Sequence, residues 1–84
     1  MSVYRCPQRL FDGYRIVIYF NDHLPPHVHV KKDRAEARVQ ILPDIALIDQ
    51  RGFNNRDVKT VLTLVEHHRD LLVETWRNIH GEDI

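Results

Sequence analysis

The first half of the chain alternates between apolar and polar residues with the period of two that is typical of β-strands. Three stretches show this alternation, at residues 13–20, 27–32 and 35–41. In the second of them Val28 and Val30 share one face, whereas His27 and His29 share the other. The pattern predicts strands with one apolar face and one polar face.

Residues typical of turns separate the three stretches. Residues 21–26 combine Asn, Asp and two prolines, and prolines cannot donate to a strand ladder. Asp33 and Arg34 form a short polar connection between the second and third stretches. Short connections of this kind predict an antiparallel meander over residues 13–49, in which residues 45–49 are a candidate fourth strand.

The second half of the chain has the period of a helix. Asn54 is a candidate N-cap, and Asp57 three residues later places a carboxylate near the positive end of the helix dipole. No Gly or Pro interrupts residues 53–80, and Gly81 follows as a stop signal. The apolar positions that follow the helical period are Val58, Val61, Leu62, Val65, Leu72, Trp76 and Ile79. These features predict one long helix over residues 54–80.

Together the two halves predict an α+β fold, with a three- to four-stranded antiparallel sheet packed by one long C-terminal helix. A length of 84 residues fits one domain, so residues 1–84 are expected to form a single domain. Within it, residues 1–12 are a lead-in, residues 13–49 the β meander and residues 54–80 the helix.

The predicted helix is longer than the predicted strands. Residues 55–80 would span roughly 39 Å as a helix, whereas a strand of seven residues spans about 23 Å. The overhanging half is apolar and needs a cover, which predicts a homo-oligomer. The residues expected at this interface are Leu71, Leu72, Val73, Trp76 and Ile79.

Composition narrows the class of protein without defining a reaction. Lys and Arg number 12, as do Asp and Glu, and the apolar fraction of 43% excludes a disordered chain. The charge is uneven along the sequence: residues 1–40 carry a net +3 and residues 41–84 a net −3. One cysteine fits a reducing cytoplasm, and the short apolar runs predict no contact with a membrane.

Three histidines within seven residues are the main candidate for chemistry. His27 and His29 lie two apart on a predicted strand, so both rings project from one face, and the Pro25–Pro26 pair could hold His23 near them. Three neutral imidazoles and a water can complete a zinc shell. Asp22, Asp33 and Glu36 are near in sequence as acceptors for the second ring nitrogens.

Acid–base cleavage of a phosphodiester is a second use of these residues, and it needs no cofactor. His27 and His29 would act as acid and base, His23 would orient them, and Lys31 or Arg38 would contact the phosphate. Arg15 belongs to the same polar face and is a further binding candidate.

A third interpretation of the histidines is structural. A histidine beside a turn can simply donate to a backbone carbonyl, and the neutral net charge provides no overall attraction to RNA. The residues alone leave the zinc, acid–base and structural interpretations open.

The chain resembles a family of short bacterial proteins catalogued as domain of unknown function 4160. The resemblance rests on residues 11–16 (FDGYRI) and 21–30 (NDHLPPHVHV), and continues through Glu36–Ala37, Arg51–Gly52–Phe53 and the helix with Trp76. The motif His-x-Pro-Pro-His-x-His-Val maps onto His23, Pro25, Pro26, His27 and His29. The family resemblance implies no particular reaction.

Members of that family are often encoded beside another small protein, in arrangements that resemble toxin–antitoxin pairs. The resemblance therefore implies a bacterial cytoplasmic protein with a small cognate protein partner. We expect either a small metal-independent RNase within such a module, or a non-catalytic module that binds protein or nucleic acid.

Overall fold

The computed structural model describes residues 8–19 and 24–80, which form five strands and two helices. The strands are β1 (Gln8–Phe11), β2 (Tyr14–Val17), β3 (His27–Lys32), β4 (Ala35–Gln40) and β5 (Ala46–Arg51), and the helices are α1 (Asn55–His67) and α2 (Arg69–His80). Each strand pairs antiparallel with the next in a single sheet of order β1-β2-β3-β4-β5. The α+β class and the antiparallel sheet are therefore confirmed.

The expected number of three to four strands was wrong, because the sheet has five. The additional strand, β1, lies in the segment that the sequence analysis treated as a lead-in. Asp12 and Gly13 connect β1 to β2 with φ angles of 50° and 84°, the left-handed geometry of a two-residue hairpin turn. This Asp-Gly pair, which directly precedes the alternating stretch, was the sequence signal for the extra strand.

The predicted start of the helix is confirmed in detail. Asn54 is the N-cap, with an extended backbone, and its side-chain oxygen accepts a hydrogen bond from the backbone N–H of Asp57 at 2.8 Å. An N-cap of this kind satisfies one of the donors that the first turn of a helix leaves without a partner, and contributes about 1 kcal/mol.

The expectation of one uninterrupted helix was wrong, because the helical segment divides at His68. The backbone there has φ −103° and ψ 15°, outside helical values. The imidazole of His68 stacks on the ring of Phe11 at 3.9 Å. The next residue, Arg69, donates to the backbone carbonyls of Ile41 at 3.1 Å and Pro43 at 3.0 Å. Contacts of His68 with β1 and of Arg69 with the β4–β5 connection thus accompany the break.

The core lies between the helices and one face of the sheet, which we call the apolar face. The sheet contributes alternate residues to it, as the sequence pattern predicts. The buried core side chains are Tyr14, Ile16, Ile18, Val28, Val30, Ala37, Val39 and Ile41 from the sheet side, and Phe53, Val61, Leu64, Val65, Leu72 and Trp76 from the helical side. The opposite face of the sheet carries the candidate chemistry.

Candidate functional site

The opposite face of the sheet, which we call the polar face, is organised by the strand register. Residues directly opposite on neighbouring strands share a face. One row crosses four strands through Arg15, Lys31, Glu36 and Arg51, and the adjacent row runs through Val17, His29, Arg38 and Asp49. His27 pairs with Gln40 in a third row. The predicted residues Arg15, His27, His29, Lys31 and Arg38 thus share one face, as expected.

His29 and Glu36 form the best-defined pair on the polar face. The imidazole Nδ1 donates to the Glu36 carboxylate at 3.0 Å, and the two side chains are 12% and 34% exposed. A carboxylate on one ring nitrogen fixes the orientation of the ring and the position of its proton. With Nδ1 as the donor, Nε2 is the remaining nitrogen of the ring for proton transfer, and this atom is buried in the folded chain.

Register explains why Glu36 makes this contact. Three carboxylates near the histidines in sequence were candidates as acceptors. Glu36 lies opposite Lys31, so it is the diagonal neighbour of His29 across the β3–β4 pair. Asp33 instead occupies the turn between these strands, with a φ of 54°, and Asp22 lies outside the described residues.

Tyr19 and Lys31 form a second pair beside His29, and Tyr19 is not among the site residues predicted from the sequence. The Lys31 ammonium donates to the Tyr19 hydroxyl at 2.5 Å, and the Tyr19 ring meets the His29 ring edge-to-face at 4.7 Å. The hydrogen bond to Tyr19 raises the pKa of Lys31, because it favours the charged ammonium. The alternation that places Tyr19 on the face of Arg15 was the available signal.

His27 is more deeply placed than His29. Its residue is 8% exposed, and its Nδ1 donates to the backbone carbonyl of Pro25 at 2.9 Å. Its ring lies 5.2 Å from the ring of His29 and 5.7 Å from that of Trp76. Trp76 in turn stacks on His80 at 3.8 Å. His27 therefore joins the polar face to the buried end of α2.

Arg38 is held by a carboxylate from the edge strand. Its Nε donates to Asp49 at 2.9 Å, and its terminal nitrogen contacts the second oxygen of the same carboxylate. This hydrogen bonding lowers the pKa of Asp49. The pairing of Arg38 with Asp49 depends on the β4–β5 register, which the sequence alone did not provide.

His23, the third candidate histidine, lies outside the described residues. Within residues 8–19 and 24–80, no group of three or more His, Cys, Asp or Glu side chains is arranged to hold a metal ion. The proposed zinc set of His23, His27 and His29 is therefore untested.

The predicted assembly surface on the helix is partly used inside the chain. Leu72 and Trp76 are 3% and 1% exposed, so neither can form an interface with a second copy without leaving the core. Leu71, Val73 and Ile79 are half-buried. Trp76 of α2 packs beside the ring of His27 on β3, so the sheet covers part of this half of the helical segment. In the described part of the chain, no helix has the length and hydropathy needed to cross a membrane.

These features define a small α+β domain with a histidine–carboxylate pair on the polar face of an antiparallel meander. The family model for domain of unknown function DUF4160 matches residues 13–77, and the chain belongs to that family. The match includes both histidines of the polar face and most of the two helices. No curated protein and no solved structure was found to match the chain.

Proposed function

We propose that this chain is a small metal-independent RNase that forms part of a toxin–antitoxin-like module in the bacterial cytoplasm, beside a small cognate protein. The observation that carries the proposal is the hydrogen bond between His29 and Glu36. An imidazole oriented by a carboxylate is a recurrent general base, and a structural histidine on a sheet surface needs no such partner.

The chemistry follows from the arrangement of the polar face. His29 takes the proton from a 2′-hydroxyl of RNA through Nε2, which is buried in the folded chain and must be uncovered as RNA binds. The 2′-oxygen attacks the adjacent phosphorus. The bond from phosphorus to the 5′-oxygen breaks as a second imidazole gives that oxygen a proton. His27 is the candidate for this acid, because its ring lies 5.2 Å from that of His29. His23 keeps its predicted orienting role as part of the proposal.

Cations on the same face support a phosphate contact. Lys31 lies two residues after His29 on β3, and the hydrogen bond to Tyr19 raises its pKa further above neutrality. Arg38 is directly opposite His29, and Arg15 is exposed and opposite Lys31. A cation near the reacting phosphate stabilises the negative charge that develops in the transition state.

A non-catalytic binding module is the second candidate, and a specific observation favours it. Arg38 already pairs with Asp49, and Lys31 with Tyr19, so each cation has a partner within the chain. Binding RNA would require an exchange of these partners, and the net charge of zero adds no long-range attraction. In this version the polar face docks a cognate protein or a nucleic acid without chemistry.

Cleavage of a labelled single-stranded RNA by the purified chain tests the proposal. We expect cleavage in EDTA, a loss of at least about 100-fold in His29→Ala, and a smaller loss in Glu36→Gln. His67→Ala is the matched control, because His67 is an exposed histidine on α1, and its activity should equal that of the wild type.

The alternatives give different results in the same assay. Cleavage that EDTA abolishes and Zn²⁺ restores would support the zinc site of His23, His27 and His29. Absence of cleavage, together with normal growth of a bacterial host after induction, would overturn the RNase proposal. Retardation of RNA or retention of the cognate protein would then favour binding. Growth arrest by the wild type but not by a His27→Ala/His29→Ala double variant would support the toxin role.

A further inference from the structure

The edge strand β5 is the most exposed element of the sheet. All six of its residues are exposed, including the large apolar side chains of Leu47 and Ile48. Among the described residues, β5 pairs with β4 on one side and with no strand on the other. Its outer edge therefore presents backbone donors and acceptors that another strand can pair with.

The charges of β5 favour one partner, namely a second copy of the same strand. Two identical antiparallel strands pair about a two-fold axis, so each choice of central residue fixes all the facing pairs. An axis at Asp49 would place two carboxylates opposite each other, and an axis at Ile48 would place Asp49 opposite Leu47. Neither arrangement is favourable.

An axis at Gln50 gives a complementary arrangement. Asp49 then lies opposite Arg51 of the second copy, and Arg51 opposite Asp49 of the second copy. No other axis brings this acid and this base together, because their residue numbers are symmetric only about 50. Both side chains belong to the polar face, since they lie opposite Arg38 and Glu36 on β4. Opposite charges on facing strands stabilise pairing.

We propose that two copies of this chain associate through β5, antiparallel about a two-fold axis at Gln50, and form one continuous ten-stranded sheet. The irregularity of the β4–β5 register between Arg38 and Val39 leaves Ile48 as the extra residue of β5. The proposed register pairs residues 49–51, which form the regular part of β5 beyond this bulge. The proposal is independent of the acid–base chemistry, since it needs neither histidine.

The partner of Asp49 within the chain is compatible with this pairing. Asp49 already accepts from Arg38, but a carboxylate can accept about four hydrogen bonds, so it can bind both guanidinium groups. The hydrogen bonds from Arg38 also lower the pKa of Asp49, in the direction that favours the carboxylate. The short paired segment predicts a weak dimer, because stable interfaces bury about 1,200 Å² or more.

Sedimentation of charge-reversed variants tests the proposal. We expect the wild type to shift from monomer to dimer as its concentration rises toward about 1 mM. Asp49→Arg and Arg51→Asp should each weaken self-association about tenfold or more, because each creates two like-charge pairs. An equimolar mixture of the two variants should form heterodimers at wild-type strength, as should the Asp49→Arg/Arg51→Asp double variant with itself.

Two controls separate association from folding. The emission of Trp76, which is buried on α2, should be the same in all variants at low concentration. A salt titration of the unmodified chain needs no variant, and added NaCl should weaken the dimer by screening the exposed pairs. A wild-type chain that stays monomeric at about 1 mM would overturn the proposal. A dimer that ignores both reversals, or a mixture no stronger than the single variants, would also overturn it.

Discussion

The two faces of the β3–β4 pair are built in different ways. On the apolar face Val28, Val30 and Val39 are 0% exposed and contact many neighbours through non-directional packing. On the polar face His29 and Glu36 are held by one hydrogen bond with a defined geometry. The alternation of apolar and polar residues is therefore enough to specify the apolar face. The polar face depends in addition on which donor atom lies next to which acceptor atom.

Magnitudes separate the roles of the two faces. Burial of a valine-sized side chain contributes about 1.5–3 kcal/mol, and the core has many such residues. A hydrogen-bonded pair on a sheet surface contributes about 0.5–1.5 kcal/mol. The free energy of unfolding therefore resides mainly on the apolar face. The exposed positions of the polar face, such as Arg15 and Arg38, can therefore change at small cost in stability.

The largest expected effect on the free energy of unfolding comes from comparing two single variants, each of which places an aspartate at one of two adjacent positions on opposite faces of β4. Val39→Asp puts an unpaired carboxylate into the core. We expect it to lower the free energy of unfolding by about 4 kcal/mol or more, which is enough to unfold a domain of this size. Arg38→Asp removes the pair with Asp49 and adds a like charge beside it, and its cost should be far smaller because both side chains are solvated. Urea denaturation followed by Trp76 emission measures both.

A matched control is Arg38→Gln, which removes the ion pair without adding a negative charge and should cost less than Arg38→Asp. If Val39→Asp and Arg38→Asp lowered the free energy of unfolding equally, the assignment of the two faces would be wrong.

The apolar face could be predicted well from the sequence, because a period of two is visible within each strand and needs no knowledge of the neighbouring strands. The alternation at Val28 and Val30, and the N-cap at Asn54, needed no knowledge of distant neighbours. The same alternation placed His27 and His29 on the other face. These features could be derived because each depends on local backbone geometry.

Features that depend on strand register, or on packing between residues far apart in the sequence, could not be predicted in the same way. Glu36 was one of three candidate acceptors for the histidine nitrogens until the β3–β4 register identified it. The division of the helix at His68 involves Phe11, which belongs to a strand nearly sixty positions earlier. Trp76 was assigned to an assembly surface because the sequence did not show that it packs beside His27.

A smaller effect is expected from the polar pair itself. We expect His29→Ala and Glu36→Ala each to lower the free energy of unfolding by about 1 kcal/mol. The double variant should lose less than the sum, by about 0.5–1 kcal/mol, because the hydrogen bond is counted in both single variants. Urea denaturation of the four proteins gives this coupling energy.

Pairing His29→Ala with Lys59→Ala in the same way provides the comparison, since Lys59 is exposed on α1 and far from β3 in sequence, and the two effects should add. Additive losses for His29 and Glu36 would show that the carboxylate does not hold the imidazole in solution. The proposed general base would then lack its orienting group.

The smallest effect is expected at the exposed end of the polar face, and its pH dependence identifies it. Arg38 lowers the pKa of Asp49 in the folded chain relative to the unfolded chain. The pair therefore adds stability above the pKa of the unfolded carboxyl, and this contribution disappears as the pH falls through the lower folded value. Asp49→Asn should be slightly less stable than the wild type at neutral pH and equal to it in strong acid.

The side chains of Arg38 and Asp49 are about half exposed, so added salt should narrow the difference at neutral pH. Urea denaturation of both proteins across the acidic range measures this gap, at protein concentrations low enough to keep them monomeric. A gap that widened toward low pH would contradict the assigned pairing of Asp49 with Arg38.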